Sequence, residues 1–131
     1  MVSLHGLTSG EIFEARRSIE MAIAALAAER ATGDHLASMS DEITGMYASL
    51  DDPEQFLLHD KRFHQAVASA SGNRILTSLM NMVATVLFDV RSETLKGAKD
   101  LKELVEMHRQ VYRAIRDHSV EGAQNAMHEI T

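Results

Sequence analysis

Residues 56–67 read FLLHDKRFHQAV, an apolar run with an aspartate and a histidine set into it. Placed on a helix at about 100° per residue with Phe56 at zero, Phe63, Ala66, Val67 and Ala70 fall within about 80° and form one apolar arc. Lys61, Arg62 and Gln65 take the far side, and His59 points elsewhere, toward solvent. Asp60 falls near ~40° and His64 near ~80°, at the edge of the arc and stacked one turn apart, so both can reach one point. The preceding LDDPEQF supplies a start signal: Asp52 as N-cap, Pro53 at the first helical position and Gln55 closing the box. Gly72 ends this helix and Asn73 caps the next.

The same punctuation continues in both directions. Toward the N-terminus, LTSGEIFEARRSIEMAIAALAAERATG pairs Thr8 with Glu11 as a capping box and places Gly33 where a left-handed C-cap would stop the helix. Ile12, Ala15, Ile19, Ala22, Ile23 and Leu26 form its apolar stripe. A second helix spans about Asp34–Leu50, with Leu36, Met39, Ile43, Met46, Tyr47 and Leu50 inward. Beyond the opening stretch, a fourth helix spans about Arg74–Glu93 and is apolar over most of its circumference, from Ile75 through Val90, which suits a central helix or a second subunit. KGAKD is a loop, about Asp100–His118 a fifth helix, and Ser119 caps a sixth that is still running at Thr131. Short connections between helices of this length predict an all-α antiparallel bundle of six or seven helices.

Composition agrees. The 131 residues suffice for one domain, and an apolar share of 45% excludes a disordered chain. Without cysteine there is neither a disulfide framework nor a thiolate metal site. The absence of a signal peptide or of an apolar run near ~18 residues predicts a cytoplasmic protein that does not enter a membrane. With a net charge of −6 and scattered Lys and Arg, the chain by itself is a poor match for DNA.

Four ionisable side chains nonetheless read as inward. His108 sits amid Leu101, Leu104, Val105, Val111, Tyr112 and Ile115, and Arg16 lies between Ile12, Ile19 and Ile23. With Asp60 and His64 they need a common polar destination, because isolated charges are too costly to bury. Mutual pairing would serve, as would Glu20 for Arg16. A metal held by imidazole and carboxylate, or an anion pocket, would serve equally.

The segments EIFEARRSIEMAIAALAAERAT, DKRFHQAVASASGNRIL and EMHRQVYRAIRDHSVEGAQNAM together resemble the FCD effector domain of GntR-type transcriptional regulators over nearly the whole chain, 1–131. The resemblance implies a dimerising helical bundle that binds a small carboxylate, engaged here by Arg16. In many members one Asp and three His hold a metal, zinc or nickel foremost. Asp60, His64 and His108 match three of those positions, whereas the fourth is Ile130, with His128 on the polar side of its helix. The resemblance also implies a winged helix-turn-helix module ahead of this domain, absent from this chain, through which any DNA contact would run. A metal-dependent helix-bundle enzyme fits less well, since no nucleophile motif and no general base stand apart from these residues. A purely structural dimerisation domain is the other alternative.

Overall fold

The computed structural model describes residues 3–4, 7–95 and 100–131, with side-chain environments for residues 8, 10–88 and 100–131. Val90 and loop residues 96–99, invoked above, lie outside those limits. A two-residue antiparallel ladder, β1 (Ser3–Leu4) and β2 (Leu7–Thr8), precedes six helices and was not foreseen from the sequence. The helices are α1 (Ser9–Arg30), α2 (Gly33–Ala48), α3 (Pro53–Ala70), α4 (Arg74–Leu95), α5 (Leu101–Arg116) and α6 (Val120–Ile130). They form an all-α antiparallel bundle. α1 runs through its middle and packs against α3, α4, α5 and α6, while α2 packs against α3 and α5.

Local chemistry sets most of the boundaries. Thr8, Asp52, Asp100 and Ser119 each accept, through a side-chain oxygen, the backbone N–H three residues on, which satisfies one free donor of a helix start. Asn73 Oδ1 accepts from both Ile75 and Leu76 at 3.0 Å, and Gly72 adopts φ 67 in the turn before it. Gly33 departs from expectation. α1 stops at Arg30, Thr32 caps α2, and Gly33 is the first residue of α2 instead of a left-handed C-cap. The capping box of Thr32 with His35 outcompetes the glycine signal, since it satisfies donors at both its positions. α5 also ends two residues early, because His118 takes φ 57 and cannot continue a right-handed helix.

The core is built from Ile23, Met39, Met46, Phe56, Phe63, Met80, Ile115 and Met127, all essentially inaccessible to water. Each such side chain contributes about 1.5–3 kcal/mol relative to exposure. α1 buries Ile12 and Ile23 as expected, but its alanines depart from the expected stripe. Ala15 and Ala22 are exposed, whereas Glu20, Ala24, Ala27 and Ala28 are buried. The buried arc lies farther round the helix than the expected stripe and still includes Ile12, Arg16 and Ile23. Alanines on both flanks make the two faces similar in apolarity, and the polar partners offered by α3 then decide which one turns inward. α4 is a boundary helix. Met80, Ala84 and Leu87 are buried, while Ile75, Leu79 and Met82 stand exposed on its other side.

Candidate functional site

Five ionisable side chains meet in the middle of the bundle: Arg16 and Glu20 from α1, Asp60 and His64 from α3, and His108 from α5. None is more than 4% exposed. Each helix presents its residue because the apolar neighbours on the same arc are buried. Phe63, itself wholly buried, sets its ring edge-on to both imidazoles, with centroids 5.7 Å from His64 and 5.1 Å from His108. The two histidine rings lie 5.4 Å apart.

Hydrogen bonds fix the orientation of each ring. His108 Nδ1–H donates to the Leu104 carbonyl at 2.7 Å, which turns Nε2 toward Asp60 Oδ1, also at 2.7 Å. His64 Nδ1–H donates to Glu20, and its Nε2 lies 3.1 Å from the same Asp60 Oδ1. A backbone carbonyl and an ionised carboxylate only accept, so the proton of each neutral ring sits on Nδ1 and each Nε2 presents a lone pair. Asp60 Oδ1 also only accepts, so its 2.7 Å contact with His108 Nε2 is a hydrogen bond when a proton sits between them, and a metal ion would take that proton's place.

Arg16 supplies one positive charge. Its Nε donates to Glu20 Oε2 at 2.9 Å, and Nη2 lies 3.1 Å from His64 Nε2. With neutral imidazoles, the five side chains carry one positive and two negative charges. A further proton on the histidines or a bound cation would complete the balance. Burial alone would push the Glu20 carboxyl up. The positive charges of His64 and Arg16, with the His64 hydrogen bond, overcome it and hold Glu20 below its ordinary range. Burial likewise pushes His64 down and Arg16 repels its charge, but the adjacent Glu20 carboxylate, together with the hydrogen bonds to Asp60 and Glu20, outweighs them and leaves His64 raised.

The donor set suits a divalent ion. One ligand atom each from Asp60, His64 and His108 falls within 4.8 Å of the others, and all three residues are buried. Their outer hydrogen bonds, Leu104 carbonyl to His108 and Glu20 to His64, are of the kind that orient metal-bound imidazoles and raise their basicity. Ile130 is half-buried against the core and has no donor atom, while His128 is exposed. Beside this cluster lies a cavity of about 20 Å³, room for about one water, bounded by Arg16, Asp60 and His64 and by Leu57, Met80 and Leu87.

The structure therefore brings together all four side chains expected to point inward. It adds Glu20, which the sequence offered only as an ion-pair partner for Arg16. The spacing Arg16–Glu20, one turn along α1, was the available signal. His59 is a correction: it is half-buried, with Nδ1 2.9 Å from Glu42 Oε1, because glycine at position 45 lets its ring lie against α2.

Comparison with known proteins agrees with this architecture. The FCD domain model matches residues 11–131. The chain belongs to the FCD family. This FCD domain is 33% identical over 110 residues to the HTH-type transcriptional regulator LutR of Bacillus subtilis, covering 80% of this chain and 50% of that protein. It is 32% identical over 114 residues to the galactonate operon transcriptional repressor of Escherichia coli, covering 86% and 50%. The chain thus spans half the length of the curated relatives it matches. Among solved structures, Streptococcus agalactiae GntR superposes with a TM-score of 0.79 at 28% identity, over 92% of this chain and 54% of that one. E. coli McbR/YncC superposes at 0.83 and 22% identity, over 92% and 62%, a likeness of fold. LutR and the galactonate operon repressor are transcriptional regulators, FCD domains of some regulators bind metal, and GntR regulators are generally dimeric. No helix among the described residues is long and apolar enough to cross a membrane.

Proposed function

We propose that this FCD domain is the sensing part of a cytoplasmic GntR-type regulator, binding a small organic acid and passing the signal through a dimer to a DNA-binding module. The observation that carries this reading is the convergence of Arg16, Asp60 and His64 on one cavity bounded by α4, with buried His108 beside Asp60 and His64. Arg16 presents the planar fork that suits a carboxylate. Asp60, His64 and His108 would hold zinc or nickel. The ion, when bound, supplies a Lewis-acidic anchor for a carboxylate oxygen.

A cavity of about 20 Å³ is too small for an organic acid, so entry requires a wall to move. α4 is that wall. One side of it presents Met80, Ala84 and Leu87 to the cavity, and the other exposes Ile75, Leu79 and Met82, which we assign to the dimer face. A ligand that displaces α4 therefore changes the surface through which two copies meet, and it shifts the equilibrium by its differential affinity for the two packings. The test is thermal denaturation with a panel of small hydroxy acids and sugar acids, galactonate included, with and without zinc. A ligand at about a hundred times its Kd should add about 2.7 kcal/mol of stability, and the gain should vanish in Arg16→Met.

One observation favours a second reading, a purely structural dimerisation domain. Among the described residues no buried side-chain nitrogen or oxygen lacks a hydrogen-bond partner. If that reading holds, His108→Ala loses stability while no acid in the panel changes the melting of the unaltered protein.

A further inference from the structure

His64 Nε2 has two claimants. In the neutral ring its Nδ1–H is committed to Glu20, so Nε2 offers a single lone pair. Arginine N–H groups only donate, and Nη2 of Arg16, 3.1 Å away, therefore donates to that lone pair. A metal shared with Asp60 and His108 needs the same one. Glu20 fixes the contact of Arg16 with His64 by holding both of its partners, with Oε1 on the His64 ring and Oε2 on Arg16 Nε at 2.9 Å. A divalent ion on these ligands would also stand a few ångströms from a buried guanidinium, where water does little to screen the repulsion.

We infer that Arg16 is the placeholder cation of the metal-free bundle: its guanidinium occupies His64 Nε2 until a divalent metal takes that lone pair and turns Arg16 out toward the cavity. The inference rests on the reading of this site as a metal and carboxylate sensor and gives Arg16 a second role in it. Metal loading then frees the N–H groups that would receive a carboxylate. By reciprocity, an acid that draws Arg16 away from His64 tightens metal binding by the same factor.

The test is calorimetric titration of zinc alone into the chelator-stripped chain, comparing the unaltered protein with Arg16→Met, which keeps an unbranched apolar stem but removes charge and donors. We expect Arg16→Met to bind zinc about tenfold more tightly or better, since the donor on His64 Nε2 and the charge it carries have both been removed. In the unaltered protein, zinc should shift the ¹⁵N resonances of both His64 Nε2 and the Arg16 side chain. Equal or weaker zinc binding by Arg16→Met overturns the placeholder role. If the unaltered protein still binds zinc and loses it in Asp60→Ala, the metal reading survives that result. Zinc binding by neither protein overturns both. Should Arg16→Met fail to fold by circular dichroism, Arg16→Leu gives the same comparison, because it too removes the charge and the N–H donors. Tighter zinc binding supports the inference and unchanged binding refutes it.

Discussion

Replacing Glu20 with glutamine tests how the buried network is balanced. Glu20 is 1% exposed and accepts two hydrogen bonds, from Arg16 Nε through Oε2 and from His64 Nδ1 through Oε1. Glutamine has nearly the same shape but only one acceptor oxygen. Its amide nitrogen must therefore face either the guanidinium or the imidazole N–H, donor against donor. A buried donor left without an acceptor costs about 1–3 kcal/mol. The loss of the negative charge beside Arg16 adds to this, and breaking one side of a buried ion pair costs about 3–5 kcal/mol in all. A fall of that size is a large part of the roughly 5–15 kcal/mol that holds a domain of this kind together. The measurement is urea denaturation of the metal-free chain at neutral pH, followed by circular dichroism, with exposed Glu14→Gln as control. A midpoint shift worth about 3 kcal/mol or more at unchanged slope is expected for Glu20→Gln, against less than about 0.5 kcal/mol for the control. Indistinguishable midpoints for the two variants would refute the view that Glu20 anchors the cluster.

The pH dependence of the metal-free protein follows from the two shifted groups. Glu20 titrates lower in the fold than its ordinary 4.5, so its contribution is present above 4.5 and is lost as pH falls through the folded value. His64 titrates higher than its ordinary 6.5, so its contribution is complete below 6.5 and is lost as pH rises through the folded value. Stability from the pair should therefore peak between about 4.5 and 6.5, and Glu20→Gln, measured by urea melts across pH, should flatten both limbs. In the chain purified without chelator, elemental analysis should find divalent metal near one per chain, and the Asp60→Ala, His64→Ala double variant should lose it; an equal metal content in both would remove these residues as ligands. Ile130→His should tighten zinc binding by completing a four-ligand shell, provided the imidazole reaches inward from α6. Zinc titration reads the gain, and a variant no tighter than the unaltered chain means that position 130 cannot reach the site. On α4, Met82→Glu should convert a sedimenting dimer to monomer while leaving the helical signal intact. A dimer that persists at the same concentration places the interface elsewhere.

The helices and most of their ends were legible because they depend on neighbours in the chain. Asp52 with Pro53, Asn73 after Gly72, and Ser119 act over three or four residues, within one turn of backbone. The inward placement of Asp60, His64 and His108 was legible for a similar reason, since periodicity alone puts them on the arcs of Phe63 and Val105. What the sequence could not decide was which alanines of α1 lie beside Ile12, Arg16 and Ile23 in the core. An alanine-rich helix has two nearly equivalent apolar faces, so the difference in burial energy between them is small. The choice fell to the contacts that Glu20 and Arg16 make with His64, forty-four and forty-eight residues away. The pairings themselves, which imidazole nitrogen faces which carboxylate and whether Arg16 lies on His64 Nε2, were set only when α1, α3 and α5 packed together. Hydrogen bonds of that kind depend on separations of tenths of an ångström between distant segments, and a linear pattern of residue types carries no such distances.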